Sequence, residues 1–234
     1  MKNRQFSLIL FLVIQLYIYT MLISYNNLIN TNLLSLISTL LCFIVTLFMY
    51  CKTKDYFIMI TAFFLTLIGD IFFIYFENLH LIGLIFLNTV QLLYFLRSYI
   101  ESDYKKSNII TRIISIPITI ILGYSIMKST MDAYAILWFI YMNNIFVNII
   151  FTIKDIGINN FFPIGLFFLF IHGSLLMFLK LDSYTIVNVP FINFLNQLSF
   201  DIKTIFYLPA QVILTCSVFT VNRKSYTKIP KEDN

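Results

Sequence analysis

The chain breaks into apolar runs of about twenty residues, separated by short polar segments, and this pattern leaves few folds open. A bilayer core about 30 Å thick needs about 20 helical residues to cross it. Measured against that length, the 234 residues yield eight spans, at about 6–25, 32–50, 56–76, 81–99, 109–127, 133–152, 161–180 and 201–221. The runs are too long for the strands of a membrane barrel. The expected fold is therefore all-α, an integral membrane bundle of eight transmembrane helices forming a single domain over 1–234. Pro117 and Pro209 fall inside spans five and eight, where neighbouring helices can re-satisfy the freed carbonyls.

Charged residues make up only 12% of the chain, against about 25% in soluble domains. The net charge of +5 does not point to nucleic acid, because the Lys and Arg sit in the short segments between spans. With the N-terminus placed inside, 13 of the 16 basic residues fall on the cytoplasmic side. Among them are Arg97 and Arg112. The asymmetry predicts both termini in the cytoplasm. Lys2 and Arg4 precede an apolar run with no small-residue cleavage site, which predicts an uncleaved first span. The richness in Ile, Phe, Asn, Lys and Tyr suggests an AT-rich bacterial genome, and with the spans it gives the expectation of a bacterial cytoplasmic membrane. Cys42, Cys51 and Cys216 show no CxxC spacing and read as small apolar residues. The long external segment 181–200, with Pro190, reads either as an interfacial cover over the bundle or as an ordinary loop.

Asp70 lies deep in the run YFIMITAFFLTLIGDIFFIYF. A carboxylate there costs about 2.5–3.5 kcal/mol on insertion scales, so a partner, a watery cavity or a chemical role must offset it. The other acids, Asp55 among them, fall at span ends or in loops and read as solvated flanks. Counting residues from the span ends gives the depth of the remaining polar groups. Asp70 lies seven residues before Glu77, and His172 eight before Lys180. Asn88 and Gln91 lie eight and eleven beyond His80, and Tyr207 and Gln211 six and ten beyond Asp201. All six sit at similar depth, in the outer half of the bilayer or near its middle. Gln91 with Tyr94, and Tyr207 with Gln211, each share a helix face. Gln91, Gln211, Asn143, Asn144 and Asn148 also read as interhelical hydrogen-bond glue, His172 as a packing residue and Tyr207 as part of an aromatic belt. Two histidines do not make a metal cluster, and neither a phosphate-binding glycine loop nor a GxSxG elbow occurs. No metal or cofactor is expected.

The segment LTLIGDIFFIYFENLHLIGLIFLNTVQLLYFL resembles spans three and four of the YhhN family of lysoplasmalogenase-like membrane proteins. It carries Gly69-Asp70, then Gly83, then Gln91 and Tyr94 where the family has an HxxY-like element. GLFFLFIHGSLLMFLK resembles span seven, with His172-Gly173-Ser174 in place of the family's Ser-Asp-Ser, and YLPAQVILTCSV supplies Tyr207, Ala210 and Gln211 for its final Tyr-x-x-Ala-Gln. The resemblance implies hydrolysis of the vinyl ether bond of a lysoplasmalogen, with a membrane lipid or lysophospholipid as partner. It implies Asp70 as the buried proton donor and Gln91, Tyr94, Tyr207 and Gln211 as supporting or substrate-binding residues, and Asn88 joins them by its depth. The second family aspartate falls at Gly173, so either His172 serves as the base or this is a divergent member with a different or lost activity. Two alternatives stand beside this: a non-catalytic binder of lipid or another amphiphile, and a small-solute transporter with Asp70 as its intramembrane acid.

Overall fold

The computed structural model describes residues 2–24, 30–48, 54–101, 104–127, 131–154, 160–184 and 202–225. These residues form eight α-helices: α1 (Lys2–Ser24), α2 (Thr31–Phe48), α3 (Lys54–Tyr75), α4 (His80–Glu101), α5 (Lys105–Met127), α6 (Ala133–Lys154), α7 (Phe161–Tyr184) and α8 (Ile202–Ser225). A 3-10 turn, Glu77–Leu79, joins α3 to α4. Each helix falls on one of the expected apolar runs, with ends displaced by a few residues in either direction. Pro117 and Pro209 lie inside α5 and α8. By length and composition, α1 to α6 can each cross a membrane, and α7 and α8 contain the shorter apolar stretches Phe161–Met177 and Ile205–Phe219. The chain is a multi-pass membrane protein with an all-α architecture. Most of the segment 181–200 lies outside the described residues, as does Cys51.

Six helices close into a ring. α2 packs on α3, α3 on α4, α4 on α6, α6 on α7, α7 on α8, and α8 returns to α2. α1 rests outside against α2 and α8, and α5 outside against α6. The sequence of α5 suits this place. Asn108, Arg112, Ser115 and Thr119 recur at helical spacing and turn toward α6, while Ile113 and Ile121 are 66% and 64% exposed. Polar inside and apolar outside is the arrangement that lipid demands.

The α3–α4 crossing depends on two glycines. A Cβ at Gly83 would lie 3.1 Å from the Gly69 carbonyl oxygen and 3.0 Å from the Phe73 ring. Only without side chains at 69 and 83 can the two backbones approach so closely. The crossing sits beside Asp70 and fixes how α3 presents it to the ring interior.

Two expectations need correction. Arg97 and Arg112 are not loop residues in water: both lie within helices and are buried. Nor is Asp55 a solvated flank. Its carboxylate pairs with both Nε and Nη2 of Arg97, with side-chain exposures of 2% for Arg97 and 11% for Asp55. Arg97 Nη1 also donates to Ser217 Oγ at 2.7 Å, and its guanidinium lies 4.2 Å over the Phe162 ring. One cation thus ties α3, α4, α7 and α8 together. Arg112 donates to Asn108, Asn144 and Asn148, joining α5 to α6. Counting basic residues between apolar runs cannot distinguish a loop arginine from one that turns inward at the helix end.

A buried ion pair that loses one partner leaves an uncompensated charge. Arg97→Met is expected to destabilise the fold by about 3–5 kcal/mol, seen as a lower unfolding temperature in detergent. Asp55→Leu combined with Arg97→Met should recover most of the loss. A single variant as stable as the parent would show that the pair does not hold the ring.

Candidate functional site

A cavity of about 270 Å³ opens inside the ring, near the end where α2, α4 and α6 begin. Every ring helix contributes to its wall: Ser35 from α2, Asp70 from α3, Leu87 from α4, Tyr141 from α6, His172 from α7 and Tyr207 from α8. Neither α1 nor α5 reaches it. Closure of the ring is therefore what creates the site.

Asp70 is held from two sides. Tyr207 Oη donates to its Oδ2 at 2.6 Å, and Thr39 Oγ1 donates to the same oxygen at 3.0 Å. Thr39 is fully buried and also reaches the Ser35 carbonyl at 3.2 Å, one turn back on α2. α2 and α8 thus both converge on one carboxylate oxygen of α3. Among the described residues no donor reaches Oδ1, and Asp70 borders the cavity. The arrangement leaves one oxygen fixed and the other available to whatever enters. The His172 ring lies against Tyr207, with centroids 4.9 Å apart and planes tilted by 40°. Tyr207 therefore stands between Asp70 and His172 in the line of contacts.

The opposite wall is aromatic. Tyr134, Trp138 and Tyr141 recur at i, i+4 and i+7 on α6 and touch in sequence: Tyr134 stacks on Trp138 with centroids 5.9 Å apart, and Tyr141 lies tilted against Trp138 at 5.6 Å. Phe73 and His80 pair beside them, their rings 5.5 Å apart. Trp138 Nε1 and His80 Nε2 are buried and find no protein partner among the described residues. The cavity thus combines apolar surface with a few polar groups, as small-molecule sites do.

Of the seven residues expected at a site, Asp70, His172 and Tyr207 line this cavity and four do not. Asn88 donates to the Leu84 and Leu137 carbonyls, linking α4 to α6. Gln91 accepts from Asn148 at 3.2 Å, which gives it the role of interhelical glue. Tyr94 is buried edge-on to Phe162, with centroids 5.6 Å apart, and Gln211 is buried on α8. Asn144 serves Arg112, and Asn143 accepts from Thr119. The polar interior is therefore divided into separate groups and is not one pool.

At Gly173, a Cβ would meet Met142 Sδ at 2.6 Å and Tyr141 at 3.5 Å. The position faces α6 at close range, so a side chain there would require Met142 to move. Sequence reading missed Thr39, His80 and the α6 aromatic stripe. Thr39 lies eight residues into α2, at the depth of Asp70, and the same counting would have found it. The stripe of Tyr134, Trp138 and Tyr141 shows the one-face spacing of a helix, a signal also borne by ordinary core aromatics. Cys42 and Cys216 are free thiols, as expected of small apolar residues. Among the described residues no group of His, Cys, Asp or Glu is placed to hold a metal ion.

Comparison with known proteins finds no family model, no curated protein and no solved structure that matches this chain.

If Asp70 faces the cavity with Oδ1 free, it should react with dicyclohexylcarbodiimide, an apolar reagent for intramembrane carboxyls. Mass spectrometry is expected to find the adduct on Asp70 and not on Asp55, which Arg97 occupies. Labelling of Asp55 in preference to Asp70 would contradict the geometry.

Proposed function

We infer that the protein hydrolyses an ether-linked membrane lipid, in the manner of the YhhN-like lysoplasmalogenases that its sequence resembles. The reading places all eight helices across a bacterial cytoplasmic membrane, with both termini inside. The cavity then opens toward the external side, and the Arg97–Asp55 pair lies toward the cytoplasm. The supporting observation is the asymmetry of Asp70: Oδ2 is held by Tyr207 and Thr39, Oδ1 accepts no bond among the described residues, and Asp70 borders the cavity.

Cleavage of a vinyl ether needs a proton delivered to carbon and a water delivered to the adjacent carbon. With both hydroxyls donating to Oδ2, a proton carried by Asp70 sits on Oδ1, the oxygen that faces the substrate. Its transfer to the β-carbon of the vinyl ether gives an oxocarbenium ion. Water adds to the α-carbon as His172 accepts a proton, which forms a hemiacetal. Collapse of the hemiacetal breaks the carbon–oxygen bond to the glycerol, releasing a fatty aldehyde and a glycerol hydroxyl. The His172 proton returns to Asp70 through solvent in the cavity. Overall one water is consumed and both residues are restored. The aromatic wall on α6 shields the cation from competing nucleophiles and packs the alkenyl chain.

Purified protein is expected to release aldehyde from a lysoplasmalogen, and Asp70→Asn should reduce the rate by about 10²-fold or more, the usual range for a positioned acid. His172→Gln should reduce it too, with the unfolding temperature retained. Equal release by Asp70→Asn would remove the acid role. A tightly bound lipid without turnover would favour the binding alternative, and Asp70-dependent solute uptake by proteoliposomes would favour the transporter.

A further inference from the structure

Beneath the cavity lie three fully enclosed side chains with bare polar atoms. Gln91 is 0%, Tyr94 0% and Gln211 1% exposed. Among the described residues, Gln91 Nε2, Tyr94 Oη and Gln211 Oε1 have no hydrogen-bond partner. Buried polar groups in folded proteins are nearly always satisfied, by protein or by ordered water. Three orphans together therefore require an explanation.

Their relative height follows from two fixed points. α4 and α8 both run away from the cavity mouth. Leu87 and Tyr207 both wall the cavity, and Arg97 donates to Ser217 at the opposite end. In each pair the residue numbers differ by 120. Two helices of equal rise that match at both ends match between them. Gln91 is therefore level with Gln211, and Tyr94 with Leu214. In α4, Leu87, Gln91 and Tyr94 follow i, i+4, i+7 on one face, and in α8 Tyr207, Gln211 and Leu214 do the same. The two stripes continue the cavity walls downward.

The orientation of the Gln91 amide is also set. Arg112 can only donate, so Asn148 presents Oδ1 to it. Asn148 Nδ2 then donates to Gln91 Oε1 at 3.2 Å. Gln91 is left with Nε2 as an unused donor. Gln211 offers an unused acceptor at the same level, and Tyr94 a hydroxyl that can do either.

We propose that Gln91, Tyr94 and Gln211 form an internal water site one turn beneath Asp70. A donor, an acceptor and a hydroxyl give a water three partners, the usual number for a buried one. The three residues thereby acquire a role that the cavity wall does not give them: they hold solvent on the side of Asp70 away from the cavity mouth. Its use as the hydrolytic water rests on the hydrolase reading. Its existence does not.

Hydroxyl-radical footprinting of the full chain in detergent, without substrate, tests the site, because an internal water generates radicals in place. Tyr94 is expected to be oxidised severalfold faster than Tyr56, which is also buried and donates to the Leu47 carbonyl. Gln91→Leu with Gln211→Leu should reduce Tyr94 oxidation severalfold while leaving the cavity-wall Tyr141 unchanged. Tyr94 as slow as Tyr56 in the parent protein would overturn the proposal, whatever the variant does. Rapid Tyr94 oxidation in a protein that releases no aldehyde would keep the water site and remove the hydrolase.

Discussion

Lipid offers no hydrogen bond, and this constraint governs every polar side chain in the chain. Each must find its partner inside the bundle or line a space that water can enter. The six-helix ring supplies both. Asp70 takes hydroxyls from α2 and α8, and those two contacts draw three helices together at one end of the ring. Arg97 binds α3, α7 and α8 at the other. Beside Asp70 the α3 and α4 backbones pack closely enough that Gly69 and Gly83 must lack side chains.

The peripheral helices show the same constraint from outside. α5 turns Asn108, Arg112, Ser115 and Thr119 inward and leaves isoleucines to the lipid. Among the described residues Arg112 has no acidic partner. Three asparagine oxygens and the Phe95 ring, 4.4 Å from its guanidinium carbon, take that place. The arginine also orders its surroundings: since it can only donate, it fixes the direction of the amides from Asn148 to Gln91. A helix outside the ring thereby sets the hydrogen-bonding polarity of a residue inside it.

Much of this was legible in the sequence. The helices follow from apolar run length, and Asp70, His172 and Tyr207 share a cavity because residue counting placed them at one depth. Depth was the right coordinate but an incomplete one. Residue counting put Gln91 and Gln211 at nearly the depth of Asp70, yet each lies one turn beyond a cavity-wall residue, Leu87 or Tyr207, and neither lines the cavity. Asp55 and Arg97 were hidden for another reason. They lie at opposite ends of α3 and α4 in sequence, and only the antiparallel packing of those helices brings them together. Gly173 gave no sign of its close approach to Met142, since that contact depends on how α7 is rotated against α6.

The central claim is that the ring interior beside Asp70 receives a membrane amphiphile. Photocrosslinking with a diazirine-bearing lysophospholipid in nanodiscs, followed by peptide mapping, tests it most directly. The account predicts adducts on cavity residues such as Trp138, Tyr141 and Leu176, competed away by unlabelled lysolipid. Adducts confined to the outer faces, at Ile113 or Ile121 on α5, with none in the cavity, would contradict it.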